Sequence, residues 1–436
     1  MAILIYILAA AVLILVLYLL NPKRRPLPTE SDYSHHTSPW WELYYASKYL
    51  RTIKVAEKGS NLEVHFRNTH LPASQELGSP KEITIHAVGD LMTRRDLNTA
   101  TCTHLWDAVG RELFSADMVI GNMEFPVNPD WIIKKLLRYS VTPEYAEPLL
   151  GDARFGRFDC VTTANNHTND SLSGGIVSTC DFLDSIHMPY SGCSRTPDEV
   201  DDFPIFEKGG IKIAVLAYSF SNNNVPFEKG FSHGLNLVRF NALNDRDYDP
   251  SLIRHHIKLA RERGADIILS SHHWGIEFEY YPPSRIVKRA HELLDAGIDI
   301  IVGHHPHILN LAEWYQTRDG RNTLCLYSLG NLVSFGLIRP AQKMALIAEI
   351  TAETGLDTNG KKITRLKNAT LIPTYFLMKG RGKKADHRIV PILSTAREIR
   401  NGNRPAYMNG WDATIVKSLD KEFRTYLWQE QAFTYR

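Results

Sequence analysis

A chain of 436 residues exceeds one minimal domain and has room for a large core with appendages. Its 22% charged and 44% hydrophobic residues exclude a disordered or low-complexity polypeptide. With 50 basic against 48 acidic side chains the net charge is only +2, and no nucleic-acid motif is present, which excludes nucleic acid as the expected partner.

The chain opens with an uncharged run, Ala2 to Leu20, close to the roughly 20 residues that a helix needs to cross a bilayer. Asn21, Pro22 and then Lys23, Arg24 and Arg25 end it. A cleaved signal peptide has a basic start and small residues at its end. Here Met1 leads directly into apolar residues, and the small Ala9 to Ala11 lie mid-run. Residues 1–25 are therefore expected to be one uncleaved transmembrane anchor in the cell membrane. By the positive-inside rule, Lys23 to Arg25 would place the main domain in the cytoplasm. Residues 26–81 read as linker and docking segment. Pro26 to Trp40 is Pro- and Ser-containing, and Trp41 to Val55 has helical spacing, with Trp41, Tyr44, Tyr45 and Tyr49 expected to pack on the main domain.

From residue 82 the pattern becomes strand alternating with helix. Strand-like apolar runs occur at Ile83–Val88, Met118–Ile120, Cys160–Thr163, Ile211–Ala217, Ile267–Leu269, Ile298–Val302 and Leu324–Leu329. Helical spacing marks Leu252–Arg263 and Arg285–Ala296. This alternation predicts an α/β fold with a substantial sheet. The five cysteines show no CxxC spacing and predict neither a zinc ribbon nor a disulfide framework. After Thr351 the pattern weakens: Thr370–Pro373 and Ile389–Ile392 suit strands, and Lys417–Gln431 suits a closing helix.

Most of the strand-like runs end in a polar cluster. These are Gly89-Asp90, Gly121-Asn122-Met123-Glu124, Asn165-Asn166-His167, His272-His273-Trp274, His304-His305-Pro306-His307 and Ser328-Leu329-Gly330-Asn331. In an open α/β sheet the carboxyl ends of the strands share one edge, where ligands bind. Asp90, Glu124, Asn166, His273, His305 and His307 are thus expected to converge there. Carboxylate, amide oxygen and imidazole together suit zinc, manganese or iron, in one or two ions. A single strand-end histidine is more often an ordinary surface group, so His86, His104 and His187 carry no assignment. Of the neighbours His272 and His273, only one can face the site. On an irregular loop with Pro306 between them, His305 and His307 can serve two adjacent ions. Two metals about 3.5–4 Å apart activate a bridging water and stabilise the leaving oxygen.

The segments IHAVGDLMTRR (Ile85–Arg95), GNMEFPV (Gly121–Val127), TANNHTND (Thr163–Asp170), SSHHWGIEF (Ser270–Phe278), IVGHHPHILN (Ile301–Asn310) and YSLGNL (Tyr327–Leu332) occur in one order across residues 82–395. As a set they resemble the capsule-biosynthesis CapA family, associated with poly-γ-glutamate synthesis and placed in the calcineurin-like metallophosphoesterase superfamily. The resemblance implies a layered β-sheet core flanked by helices over 82–395, with 396–436 as a helical extension. It implies that Asp90 holds a first metal and Glu124 bridges two. Asn166, His273 and His305 would complete the second site, and His307 would return to the first. His167 would act as a general acid or transition-state stabiliser, and Arg94, Arg95, Glu277, Ser328 and Asn331 would face substrate. The superfamily's Asp-x-His is here Asp90-Leu91-Met92, and a thioether is a poor ligand for such ions.

The implied function is a membrane-anchored protein of biosynthesis, export or attachment of poly-γ-glutamate or a similar anionic polymer, with the domain outside the cytoplasmic membrane. No GxxxxGK[ST] phosphate loop is present, so an ATP-dependent ligase step would fall to partner synthase subunits. Two other functions fit the same residues: a free-standing hydrolase acting on small phosphoesters, and a non-catalytic polymer-binding scaffold.

Overall fold

The computed structural model describes residues 47–94, 96–130, 138–334, 336–380 and 382–436, with Ala10, Val12, Leu13, Leu15, Val16 and Leu17 from the N-terminal run. Those six residues are helical, and Val12, Leu13, Val16 and Leu17 are exposed. Among the described residues no helix is long and apolar enough to cross a membrane. The rest of the expected anchor, and all of 18–46, lie outside the described residues.

The first part of the chain supplies β1 (Gly78–Leu91), β2 (Met118–Met123), the small hairpin of β3 (Gly151–Asp152) and β4 (Gly156–Arg157), then β5 (Cys160–Thr162) and β6 (Tyr190–Ser191). After them come β7 (Ile205–Lys208), β8 (Ile211–Ser219), β9 (Ile267–His273), β10 (Ile300–His304), β11 (Ala312–Gln316) and β12 (Asn322–Leu326). The last strands are β13 (Asn331–Val333), β14 (Met344–Leu356), β15 (Lys362–Lys379), β16 (Asp386–Pro391) and β17 (Thr434–Tyr435). The longer helices are α1 (Leu62–Arg67), α2 (Leu172–Ser185), α3 (Ser251–Glu262), α4 (Ser284–Ala296), α5 (Ile392–Arg400) and α6 (Gly410–Tyr426).

Apart from the β3–β4 hairpin, these strands form two sheets, where the sequence pattern suggested the edge of one. One runs β16-β15-β14-β1-β2-β5-β6, with β13 against β1 and β17 against β15. The other runs β11-β12-β10-β9-β8-β7. Each contains a run of four parallel strands: β1, β2, β5 and β6 in the first, and β8, β9, β10 and β12 in the second. Strands buried on both faces read as continuous apolar runs, and such a run does not say which sheet it joins. Alternation within strands sorts the core. Ile83, Ile85 and Ala87 of β1 share a cluster with Val215, Leu269 and Ile301 of the second sheet. Val88 turns the other way, towards Trp106, Phe158 and Leu183, and Leu91 joins it because the register shifts after Ala87.

The docking segment also differs from its expectation. Ser47–Leu50 is a short 3₁₀ turn, and the chain then runs extended, with Ile53 N–H donating to Phe278 O and Tyr280 N–H to Ile53 O. Lys48 is wholly buried and pairs with Glu279 at 3.2 Å. Lys54 pairs with Glu422 at 2.7 Å, so the segment adheres through backbone bonds and ion pairs, and the Tyr49 ring packs on Phe278 at 4.9 Å. At the other end, the Asn409 side chain caps α6 by accepting from Asp412 N–H at 2.9 Å, so that helix starts earlier than its apolar spacing suggests. Cys180 and Cys193, both free thiols, lie with their sulfurs 3.2 Å apart.

Two glycines let the strand ends meet. A Cβ on Gly89 would collide with the carbonyl oxygens of Leu329 and Gly330, and one on Gly303 with those of Leu326 and Tyr327. Both neighbours are backbone and cannot swing aside. Gly89→Ala is accordingly expected to cost at least about 1–3 kcal/mol, as overpacked cores do. Chemical denaturation of the two proteins measures this, and equal midpoints would show that the strands have room to part.

Candidate metal centre

Asp90 is the last residue but one of β1 and is wholly buried. Parallel pairing places it opposite Asn122 of β2 on one side and Asn331 of β13 on the other. In the second sheet His273, the last residue of β9, lies opposite His304, the last of β10. The ends of both sheets thus deliver polar side chains to one buried space. Thr162 Oγ1 and Ser271 Oγ, 3.1 Å apart, link the two sheets there.

Ligand atoms of Asp90, Glu124 and His273 lie within 4.8 Å of one another. Around them, His273 Nε2 is 3.0 Å from Asn166 Oδ1 and 3.6 Å from Glu124 Oε1. His307 Nε2 is 3.6 Å from Glu124 Oε1 and 3.9 Å from Glu277 Oε1, and its Nδ1 is 2.9 Å from Asn331 Oδ1. His305 donates its backbone N–H to Asp90 Oδ2 at 3.3 Å, and its ring lies 5.0 Å from that of His273. All six expected ligands are therefore brought together. His272 turns away, bonding Ser270 Oγ at 2.8 Å and stacking on Phe240.

The loop around Pro306 is conformationally demanding: His305 has φ +92° and His307 φ +50°. Left-handed backbone at non-glycine residues costs on the order of 1–3 kcal/mol each and persists only where surrounding contacts enforce it. Here Asp90, Asn331 and the Phe220 ring, 4.6 Å from His305, supply those contacts.

The charges in this space are unbalanced. Burial alone would raise the Asp90 carboxyl, but His304 beside it, with His307 and His273, outweighs burial and holds it well below the usual range. Burial pushes Glu124 well above the usual range, Asp90 and Glu277 adding to the rise against the pull of His307. Burial also works against charge on His307, yet Glu124, Asp90 and Glu277 together bring it up to about 10. Neither oxygen of Glu124 has a hydrogen bond among the described residues. A buried carboxyl with no donor needs either a proton or a cation. The donor set of carboxylate, amide oxygen and imidazole suits a divalent ion.

His167 follows Asn166 in the chain. Its Nδ1 is 2.8 Å from Asp170 Oδ2, its ring lies 4.4 Å from that of Tyr139, and Asn165 Oδ1 accepts from its backbone N–H. Of the residues expected to face substrate, Glu277 reaches the cluster through His307. Asn331 is occupied in orienting His307, and Ser328 donates its hydroxyl to Ile308 O at 2.7 Å, on the loop that carries His307. Arg94 pairs with Asp96 and reaches Met378, and no contact joins it to the cluster among the described residues. Arg95 lies outside the described residues.

Three partners were not singled out from sequence. His304 Nδ1 is 2.7 Å from Asp90 Oδ1, Asn122 Nδ2 donates to Asp90 Oδ1 at 2.9 Å, and Asp170 holds His167. Asn122 precedes Glu124 by two in the same strand-end cluster, and Asp170 follows His167 by three, so both were within reach of a spacing argument. His304 was hidden by its neighbours in the run of histidines.

Glu124→Gln keeps the shape of the carboxyl and removes its charge, where burial already pushes the group well above the usual carboxylate range. The metal-free variant should melt at or above the wild-type temperature. Wild type should gain about 2.7 kcal/mol at divalent ion a hundredfold above Kd, and the variant should gain little. Thermal melts with and without Mn²⁺ or Zn²⁺ decide it; an undiminished gain removes Glu124 from the ligand set.

Comparison with known proteins adds the family. A family model described as "Bacterial capsule synthesis protein PGA_cap" matches residues 84–335, more than half of the chain. The chain is 26% identical over 265 residues to a capsule biosynthesis protein CapA of Bacillus anthracis, covering 58% of this chain and 60% of that one. It is 28% identical over 253 residues to a PGA biosynthesis protein CapA of Bacillus subtilis (strain 168), covering 56% and 62%. The match therefore spans about three fifths of the length of these relatives. A solved structure titled "Termus thermophilus Sulfate thiohydrolase SoxB in complex with glycerol" aligns over 62% of this chain and 36% of that one at 16% identity, with a TM-score of 0.28, too slight a likeness to carry an argument. The chain belongs to the bacterial capsule synthesis family PGA_cap, the CapA proteins among its relatives.

Proposed function

We propose that this protein is a membrane-anchored, metal-dependent hydrolase-like component of the biosynthesis, export or attachment of poly-γ-glutamate or a similar anionic polymer, its domain facing away from the cytoplasm. The observation that carries the chemical part is Glu124: a buried carboxyl without a hydrogen bond among the described residues, its ligand atom within 4.8 Å of those of Asp90 and His273. Family membership carries the polymer, and the uncharged run Ala2–Leu20 carries the anchor. Synthase subunits would supply any ATP-dependent step.

In this reading Asp90, Glu124, Asn166, His273, His305 and His307 hold one or two divalent ions of zinc, manganese or iron. The ion would polarise a substrate oxygen and lower the pKa of a bound water. Every other task falls to side chains. Asn122 and His304 hold the Asp90 carboxylate in place, and Asn331 orients the His307 ring. The Asp170 carboxylate accepts from His167 Nδ1, which leaves Nε2 as the atom that can give or take a proton at the reacting group. The His167–Asp170 pair favours chemistry over a polymer-binding scaffold, because binding alone does not require an imidazole held in one tautomer.

His305→Ala should lower bound metal far more than Met92→Ala, as elemental analysis of the purified proteins would measure; equal metal in wild type and His305→Ala counts against the ligand set. His167→Ala should keep metal and fold while lowering turnover on phosphoesters, or polymer yield in cells, by roughly 10²–10⁴-fold. Unchanged activity in both assays leaves a binding scaffold.

A further inference from the structure

A second cluster of metal-binding side chains lies outside that centre. Glu313 sits on β11, an outermost strand of the second sheet, and its side chain is 2% exposed. His65 of α1 places Nε2 2.6 Å from Glu313 Oε2, and His291 of α4 places Nε2 2.8 Å from Oε1. One ligand atom from each of the three lies within 4.8 Å of the other two. Tyr327 donates its hydroxyl to the same Oε1, and the His291 ring stacks flat on Tyr315 at 4.1 Å, which fixes its plane.

The cluster is closed on the carboxylate side and open on the imidazole side. The side chains of His65 and His291 are 36% and 25% exposed. His291 and Tyr315 also line a cleft of about 780 Å³, with Glu292 and Asp295 on its wall. Glu313 is thus the buried anchor of the cluster, with an imidazole nitrogen against each carboxyl oxygen.

We infer that His65, His291 and Glu313 form a second divalent-cation site, suited to zinc, with its fourth position facing the cleft. Two imidazole nitrogens and one carboxylate oxygen with an open position are a recurrent zinc donor set. The donors come from three separate elements, with His65 and Glu313 248 residues apart in sequence. An ion there would tie α1, and with it the segment between the N-terminal run and β1, to the edge of the sheet. Cross-links that close long loops remove much unfolded-state entropy.

The test is zinc stoichiometry of the full-length chain, purified in detergent, stripped of metal, reloaded with zinc alone and measured by native mass spectrometry. His65→Ala and His291→Ala should each bind one zinc fewer than wild type. Because His65 is at the solvent edge, its variant should keep the wild-type circular dichroism. Cobalt(II) loading gives a second readout: visible absorption of a four-coordinate ion should be present in wild type and reduced in both variants. Zinc counts and cobalt spectra identical to wild type in both variants would overturn the site and leave a hydrogen-bonded clamp.

Discussion

Asp90 and Glu124 occupy one buried space, and the surrounding structure is shaped by the need to hold two carboxyl groups where water cannot reach them. Taking an uncompensated carboxylate out of water costs several kcal/mol even after relaxation. The fold meets this demand unequally. Asp90 has Asn122, His304 and the His305 backbone N–H around it, whereas Glu124 has imidazoles at 3.6 Å and no hydrogen bond among the described residues.

That constraint explains the architecture around it. Neither sheet alone carries the donors: Asp90, Asn122 and Glu124 come from the β1–β2 end of one, and His273 and His304 from the β9–β10 end of the other. The ends must therefore face each other at hydrogen-bonding distance, as Thr162 Oγ1 and Ser271 Oγ do at 3.1 Å. The strained turn at His305 and His307 has the same origin. Its left-handed residues bring a backbone N–H to Asp90 and an imidazole towards Glu124, two placements that a regular strand end would not give.

Much of this was legible in the sequence, because a central parallel strand leaves a short apolar run and its end leaves a polar cluster. Ile83–Val88, Met118–Ile120 and Ile267–Leu269 fall inside β1, β2 and β9, and each is followed by a residue of the site. Tertiary assignment was not legible. Nothing in an apolar run tells whether β2 and β9 share a sheet, and the aromatic spacing of Trp41–Val55 suggested a helix where, among the described residues, backbone pairing with Phe278 and Tyr280 holds an extended segment. Roles inside the site were legible only in part. Asn331 stands at a strand end like a substrate ligand, yet its amide oxygen is spent on His307, a fact that depends on register rather than on residue type.

Met92 shows how the two kinds of information combine. By resemblance it marks a missing imidazole, and taken alone it predicts a weakened first metal position. The structure buries Met92 and places a different imidazole, His304, 2.7 Å from Asp90 Oδ1. Asp90 thereby gains an imidazole neighbour from the protein itself, through a residue at the end of another sheet. Glu124 has no such substitute, and Asn166, His273 and His307 gather on its side. The carboxyl left without a hydrogen bond among the described residues is therefore the one on the Glu124 half of the centre.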